Sequence, residues 1–466
     1  MKKTLTFFHT FQTLMTTGKT PYIFTSVYLV LTTLLVYIFP QQQFFFLLFL
    51  VSAWFIYSLP MSRNFKLGLG IVVALFIVPV LGVRNIFYFE VIFQICIFAA
   101  LALGLNIVVG FTGLLNLGYV AFYAVGAYLW AFFGSQQAYL LHVIPGTAPA
   151  NTPFLLPPDA FYLFIPLGMI AAAVVGVLLG LPVLRVRGDY LAIVTLGFGE
   201  VIRVLANNLD KPVNLTNGPQ GITPIQRPTL PQPVMDGINA MLYPLIGRYA
   251  TLDEFYNMFF YVIALVIIIV IIAVIIRLDD SKIGRAWAAI REDELAAAAM
   301  GINVVNYKLL AFAVGAACAG TMGVLLAASR TFISPESFSF MQSIGVLSMV
   351  ILGGLGSIPG VILGAAVVVV LNLQILQGLS LWLSSLRQSG GVIPVINFAW
   401  SSLSNQLDPA QYQRMIFGLI LILMMIYRQE GLIPAKRRMR GLEQPVIEDE
   451  NATPQGDKPE ANHGAA

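Results

Sequence analysis

The sequence predicts an all-α polytopic membrane protein, and three observations support that fold class. Of 466 residues, 58% are hydrophobic and only 10% are charged, whereas soluble chains carry about 25% charged residues. Uncharged apolar runs recur at lengths near the ~20 residues that a helix needs to cross a bilayer. Lys and Arg concentrate in alternate connecting segments, as the positive-inside rule describes. A soluble enzyme, a disordered chain and a disulfide-bonded secreted scaffold are therefore excluded.

Eleven runs qualify as spans, and a twelfth is weaker because it contains Glu200 and Arg203. Several runs are short, so some segments are expected to be tilted, re-entrant or broken, and we predict nine to twelve crossings. The runs are 22–39, 44–59, 67–83, 91–109, 117–134, 161–184, 257–277, 308–328, 343–356, 359–377 and 411–427, with 189–206 as the weaker one.

The distribution of positive charge predicts that both termini are cytoplasmic. If all twelve runs cross and the N-terminus is inside, eighteen of the 26 Lys and Arg residues lie in inside segments and seven in outside segments. Removing an adjacent pair of crossings leaves this orientation unchanged. Lys2 and Lys3 are followed by no apolar run until Tyr22, so we interpret the first span as a retained anchor rather than a signal peptide.

The sequence contains no recognisable catalytic or metal-binding pattern. The segment 18–20 resembles the end of a phosphate-binding loop but lacks the earlier glycine and the preceding strand. The three histidines, His9, His142 and His463, are too far apart in sequence to suggest a metal site. The net charge of +4 is scattered along the chain, which argues against nucleic-acid binding. We therefore predict a protein that is not an enzyme, with no metal site.

Two glycine-rich segments, 110–118 and 353–360, interrupt the apolar runs. Small residues let helices approach closely in a membrane, so packing is one interpretation. The other is a substrate path, because non-helical backbone at membrane depth persists only where protein or a water-filled cavity surrounds it. The candidate path residues are Gly113, Asn116, Gly118, Gly354, Gly356 and Gly360.

Three ionisable residues, Glu90, Glu200 and Arg203, lie at or near membrane depth. An intramembrane charge costs about 2.5–3.5 kcal/mol on insertion scales, so it usually has a partner or a function. Glu200 and Arg203 share one helical face and are predicted to pair as an intramembrane charge pair. So few acidic residues argue against an ion-coupled secondary transporter.

The inside loop 278–307 is the most informative soluble stretch. Ser281 is a predicted helix cap, and Gly301 is placed to end the helix. An apolar stripe at helical spacing comprises Ile283, Trp287, Ile290 and Leu295. This pattern indicates either an interfacial helix on the lipid headgroups or a helix that docks into another cytoplasmic protein.

Five segments occur in one order along the chain: GLLNLGYVAFYAVGAY at 113–128, LRVRGDYLAIVTLGFGE at 184–200, GRAWAAIREDELAAAAMG at 284–301, SPESF at 334–338 and GGLGSIPG at 353–360. Together they closely resemble the M-type permease subunit of branched-chain amino acid ABC importers. Several long motifs in one order make the resemblance specific.

The resemblance covers roughly residues 90–435 and suggests three parts of the chain. Residues 1–89 are interpreted as N-terminal membrane anchor segments and 90–435 as the importer permease core. The segment 436–466 is interpreted as a disordered charged cytoplasmic tail, since it is rich in Pro, Gly, Asn and acidic residues.

The resemblance implies a set of partners and a coupling loop. It implies a heterodimer with a sister permease, two cytoplasmic ATPase subunits that bind ATP and Mg, and an extracytoplasmic binding protein that delivers Leu, Ile or Val. No cofactor is expected on this chain, which would lie in a bacterial inner membrane. The implied ATPase-coupling residues are Arg285, Arg291, Glu294, Ala297 and Gly301, although the spacing from Glu294 to Gly301 is one residue longer than the general pattern.

Other functions remain open at this point. Related permeases carry urea or short amides, which would keep the same architecture with another substrate. A passive channel would need no ATPase and no amphipathic cytoplasmic helix of this length. A secondary transporter would lose uptake with the ion gradient rather than with ATP.

Overall fold

The computed structural model describes residues 19–140, 154–184, 189–388, 392–393, 398–399 and 409–435. In these residues the regular secondary structure is helical apart from a two-residue antiparallel strand pair, Val392–Ile393 with Phe398–Ala399, and an isolated bridge between Ile222 and Ile333. The predicted all-α class is confirmed. The predictions for the N-terminal 18 residues and for the charged tail lie outside the described residues.

Fifteen helices longer than one turn are formed in the described part of the chain. They are α1 (Thr20–Ile38), α2 (Gln43–Ser58), α3 (Arg63–Arg84), α4 (Ile86–Phe111), α5 (Val120–Phe133), α6 (Phe161–Val183), α7 (Asp189–Asn208), α8 (Gln232–Ile246), α9 (Leu252–Asp280), α10 (Lys282–Glu292), α11 (Glu294–Ala299), α12 (Val304–Arg330), α13 (Phe340–Gly353), α14 (Ile358–Gln388) and α15 (Gln413–Tyr427).

Nine helical stretches in the described residues are long and apolar enough to cross a membrane, and three shorter apolar helices accompany them. The three shorter ones are α2, α5 and α15. Each of the twelve predicted runs overlaps one of these twelve helices, which confirms a multi-pass membrane protein. Helix α8 was not predicted, and it lies in the connecting segment between α7 and α9.

Connections between helices meet at two opposite ends of the bundle. At one end, the Asn85 side chain donates to the Pro40 carbonyl at 2.8 Å. Arg248 donates to the Val83 carbonyl at 3.0 Å at the same end. These contacts join the α1–α2 turn, the α3–α4 turn and the start of α9, and we call this the upper end.

The other end, which we call the lower end, carries α10 and α11. Here Trp287 Nε1 donates to the Tyr307 carbonyl at 2.8 Å, and the Gly356 N–H donates to Asn106 Oδ1 at 2.9 Å. The end of α4, the start of α12 and the α13–α14 turn therefore meet at the lower end. Successive spans alternate in direction, as a multi-pass chain requires.

Helix α12 is central and packs against α4, α5 and α6. Small residues permit this close approach, because a Cβ on Gly126 would overlap the Gly320 carbonyl. A Cβ on Gly176 would lie 2.8 Å from the Ala316 Cβ. Gly176 and Gly180 of α6 therefore serve close packing against α12.

The first three helices pack on the bundle through a second apolar cluster, shared with α8 and the start of α9. Tyr261 of α9 donates its hydroxyl to the Ala74 carbonyl of α3 at 2.9 Å. Gln374 of α14 donates to the Gln43 carbonyl at the start of α2 at 2.6 Å. The division of the chain between residues 89 and 90 stays a prediction.

Candidate functional site

The loop between α9 and α12 folds into two short helices, each with a side-chain cap. Ser281 Oγ accepts the backbone N–H of Ile283 at 3.1 Å, so its predicted role as the cap of α10 is confirmed. Asp293 accepts the backbone N–H groups of Leu295 at 2.8 Å and Ala296 at 3.1 Å. These bonds satisfy the otherwise unpaired donors of the first turn of α11.

The second cap corrects the predicted apolar stripe. Trp287 is fully buried at 0% exposure and Ile290 is buried. Leu295, however, is 71% exposed, because the chain turns at Asp293 and starts a new helix. The prediction that Leu295 belongs to one stripe with Ile283, Trp287 and Ile290 is therefore wrong.

Gly301 ends the loop as predicted. Its φ of +83° places it in the left-handed region that glycine favours after a helix. The Gly301 N–H donates to the Ala298 carbonyl at 3.0 Å, and the Ile302 N–H donates to the Ala297 carbonyl at 3.1 Å. The adjacent Met300 is 83% exposed. The C-terminus of α11 thus presents an apolar side chain to the surroundings.

The five predicted coupling residues occupy different environments. Arg285 and Gly301 are exposed, whereas Ala297 is buried. Glu294 forms an ion pair with the buried ammonium group of Lys308 at 2.7 Å. Arg291 turns toward the bundle. The coupling role of these residues stays a prediction, and the structure shows that Arg291 and Glu294 each bond to another part of the same chain.

Two exposed apolar residues of this segment, Leu295 and Met300, were missed as candidate contacts. Both lie on or directly after α11, and each leaves more than two thirds of its surface exposed. The signal was present in the sequence: Asp293 is a preferred N-cap residue, and a run of good helix formers follows it. A second helix that starts at Asp293 places Leu295 on an outward-facing surface.

Arg291 lies between the two glycine-rich segments. Its guanidinium donates to the Gly110 carbonyl in the π-helical last turn of α4. Its Cγ is 3.2 Å from the position that a Cβ on Gly113 would occupy, and its Nη1 is 3.5 Å from the corresponding position on Gly356. Gly113 and Gly356 both have positive φ, +72° and +84°, which favours glycine there.

Asn106 of α4, shortly before the first glycine-rich segment, binds the second one. Asn106 is fully buried and accepts the Gly356 N–H. Its Nδ2 is buried and has no hydrogen-bond partner in the residues that the structure describes. Helix α10, the end of α4 and the α13–α14 turn are therefore joined within one cluster at the lower end.

A segment after α15 crosses the α13–α14 turn. The Leu432 N–H donates to the Leu352 carbonyl at 2.9 Å, and the Ile433 N–H donates to the Gly353 carbonyl at 3.1 Å. A Cβ on Gly354, whose φ is +117°, would lie 2.6 Å from the Ile433 carbonyl. This close backbone contact explains a glycine at that position.

The structure separates the predicted path residues into two kinds of segment. Residues 112–119 are non-helical and run from Arg291 at the lower end to Thr195 within α7. Thr195 lies six residues into α7, about 9 Å from its start. This stretch, with Gly113 exposed and Asn116 buried, is therefore non-helical backbone within the bundle.

The other segment, 353–360, forms the tight α13–α14 turn at the lower end rather than a break within a helix. Gly360 and Gly353 contact each other across this turn. At Gly118 a Cβ would overlap the Thr195 carbonyl, and at Gly199 it would lie 2.9 Å from the Gly118 Cα. Gly118 and Gly360 thus hold close backbone contacts, while the path itself stays a prediction.

The charge pair lies near the upper end of α7. Arg203 Nε donates to Glu200 at 2.8 Å, and its Nη1 lies 3.3 Å from Glu336 in the connection after α12. Arg203 is five residues from the last residue of α7, about 8 Å along the axis. The pair therefore has an additional partner on a second element, and its functional role stays a prediction.

Comparison with known proteins places this architecture in a family. Residues 87–425 match the family described as branched-chain amino acid transport system / permease component. The chain is 37% identical over 350 residues to LivM of Salmonella typhimurium, a high-affinity branched-chain amino acid transport system permease protein, covering 73% of this chain and 68% of the relative. It is 37% identical over 365 residues to LivM of Escherichia coli, covering 76% and 72%.

A shorter match connects the chain to a second permease type. It is 39% identical over 87 residues to the permease protein LivH of Escherichia coli, covering 19% of this chain and 28% of that relative. No solved structure matches the chain. The long family match and the relatives at 37% identity show that the chain belongs to the branched-chain amino acid transport system permease family.

Proposed function

We propose that this chain is the transmembrane permease subunit of an ATP-driven importer for leucine, isoleucine and valine in the bacterial inner membrane. The observation that carries the proposal is 37% identity, over most of the chain, to permeases named for this transport. The lower-end geometry supports it, because Arg291 bonds α10 to the backbone at the end of α4 and lies beside the α13–α14 turn. Movement of α10 would therefore reach the spans directly.

The exposed surface of the α10–α11 loop is the proposed contact for a cytoplasmic ATPase. Leu295 and Met300 expose apolar surface, and Arg285 adds an exposed positive charge on the preceding helix. Interfaces concentrate their binding energy in a few such anchors. ATP and Mg would bind on two ATPase subunits, and this chain would bind neither.

A sister permease and an external binding protein complete the proposed assembly. The local similarity to LivH supports pairing with a related permease. Within the chain, the non-helical stretch 112–119 is the part of the predicted path that lies at membrane depth. Asn116 Nδ2 there is buried without a hydrogen-bond partner in the described residues, which suits a passing carboxylate or water molecule.

The test is uptake of labelled leucine and labelled urea by the native host, with and without the gene. Loss of leucine uptake alone, restored by the gene and abolished by ATP depletion, is the expected result. Loss of urea uptake alone would keep the permease and overturn the substrate. Leucine uptake that follows the ion gradient and persists without ATP would overturn the ATP-driven mechanism.

A further inference from the structure

A second feature, at the upper end, combines charges of both signs with an apolar wall. A pocket of about 240 Å³ opens where α4, α9 and α12 meet the connection that carries Arg227. Glu90 lines it from α4 and Arg330 from the last turn of α12. The volume lies below the ~300–1,000 Å³ of sites for drug-sized ligands, so it fits a small metabolite.

The acidic side of this upper pocket is Glu90. Its Oε1 accepts hydrogen bonds from Arg330 and, at 2.6 Å, from Gln94 one turn along α4. Both bonds are accepted by the same oxygen, so among the described residues the second carboxylate oxygen is left for another donor. Asn257 of α9 lines the same pocket.

The basic side is Arg227. One end of its guanidinium lies 3.2 Å from Asp253, and the other donates to the Ser329 carbonyl at 3.4 Å. The group stacks over the Tyr256 ring at 4.9 Å, which fixes its plane. Its Nε is buried and has no hydrogen-bond partner in the part of the chain that the structure describes. A buried donor is costly to leave unpaired.

The rest of the lining is mixed, with Asn257 and Ser329 as polar residues and two aromatic rings as the apolar part. Phe93 of α4 and Phe260 of α9 supply these rings, are both buried, and have ring centroids 6.4 Å apart. The two rings offer dispersion contacts to an aliphatic group. A carboxylate acceptor, a guanidinium donor and an apolar wall within one pocket match the three parts of an aliphatic α-amino acid.

We propose that the upper pocket is a binding subsite for an aliphatic amino-acid zwitterion within the permease. Arg227, with Arg330, takes the carboxylate, Glu90 takes the ammonium group, and Phe93 and Phe260 contact the side chain. This inference rests on the proposed function and adds a site on this chain. Because Glu90 pairs with Arg330 and Arg227 pairs with Asp253, a ligand must compete with both ion pairs. Binding is therefore weak and reversible, which suits a point of transfer.

The test uses the purified permease–ATPase complex in lipid nanodiscs without the external binding protein. Binding of labelled leucine is measured by scintillation proximity. We expect saturable binding that unlabelled leucine competes for, whereas leucinamide, 4-methylpentanoate and urea do not compete. Leucinamide lacks the carboxylate and 4-methylpentanoate lacks the ammonium group. Equal competition by either analogue, or no saturable leucine binding, overturns the proposal without any variant.

Two variants assign the site to these residues. Arg227→Gln and Glu90→Gln are each expected to weaken leucine binding at least tenfold. The matched control is Arg248→Gln, which removes another upper-end arginine with its own ion pair, to Glu254 at 2.6 Å, outside the pocket. The control is expected to bind leucine normally. Unchanged binding in both pocket variants overturns the proposal.

A double charge reversal separates a ligand site from a structural ion pair. Glu90→Arg combined with Arg330→Glu keeps opposite charges in contact but exchanges their positions. A purely structural role predicts that the double variant regains both assembly and leucine binding, which would overturn the proposal. A ligand site predicts restored assembly with leucine binding still lost.

Measuring leucine uptake distinguishes a failure of the upper-pocket proposal from a failure of the proposed function. If deletion of the gene leaves leucine uptake intact, the proposed function fails. If deletion abolishes leucine uptake while Arg227→Gln sustains it at the wild-type rate and KM, only the upper pocket fails. A raised KM in Arg227→Gln, with the same amount of complex in the membrane, is the expected result.

Discussion

Arg291 connects a surface helix to buried transmembrane backbone. Its guanidinium donates to the Gly110 carbonyl and lies close to Gly356. A hydrogen bond to a charged group contributes about 1.5–3 kcal/mol, so this side chain helps to hold α10 on the end of α4. No pattern in the sequence indicates the contact, because the two residues are 181 positions apart.

Removing this side chain should uncouple α10 from the spans. We expect Arg291→Ala to lower leucine uptake at least about tenfold, since losing about 1.4 kcal/mol of coupling changes an equilibrium tenfold. The amount of assembled complex should stay near the wild-type level. Lys282→Ala, an exposed position on the same helix, is the control and should transport normally. Wild-type uptake by Arg291→Ala would contradict the proposed link.

Gly118 allows a direct choice between packing and a substrate path. A Cβ at this position would overlap the Thr195 carbonyl of α7, and overpacking typically costs about 1–3 kcal/mol. We therefore expect Gly118→Ala to lower the thermal unfolding temperature of the purified complex. Gly197→Ala is the control, since a Cβ there meets nothing within 4 Å. A Gly118→Ala complex that is fully stable but does not transport would favour the path interpretation.

At the scale of elements, the helix cap at Asp293 decides which side chains of the α10–α11 loop face outward. Asp293 ends α10 and starts α11, so the apolar stripe of α10 faces the bundle while Leu295 faces outward. Trp287 anchors the buried side by stacking on Phe111 at 6.4 Å between ring centroids. The loop therefore has one face for its own chain and another available for a partner.

The exposed apolar side chains of α11 predict that a charge introduced there will weaken ATPase binding. We expect Met300→Glu to reduce co-purification of the ATPase subunits by about thirtyfold, because truncating an interface anchor typically costs about 2 kcal/mol or more. The same substitution at Tyr249, which is 69% exposed at the upper end, should leave the ATPase bound. Normal ATPase binding by Met300→Glu would place the docking surface elsewhere.

At the scale of the whole molecule, the sequence predicted those features of the fold that depend on local composition. All twelve apolar runs became helices, because burying apolar side chains in lipid requires only length and continuity. The features that the sequence did not predict depend on contacts between distant segments. The segment 353–360 is a turn at the lower end rather than a break in a span, and its contacts with Asn106 and Ile433 come from distant parts of the chain. Glu90 was noted for its depth alone, since its pairing with Arg330 joins residues 240 positions apart.

Orientation across the membrane connects these scales, because the ATPase surface and the upper pocket must lie on opposite sides. The excess of Lys and Arg in the lower-end loops predicts that the lower end is cytoplasmic. We expect Tyr249→Cys to react with a membrane-impermeant maleimide in intact cells, and Met300→Cys to react only after the inner membrane is permeabilised. The native thiols, Cys96 and Cys318, are buried and should give little background. The reverse labelling pattern would place α11 on the outer side of the membrane, where no ATPase reaches it. It would overturn the proposed ATPase-contact surface. It would also overturn the proposal that the upper pocket faces the side from which substrate arrives.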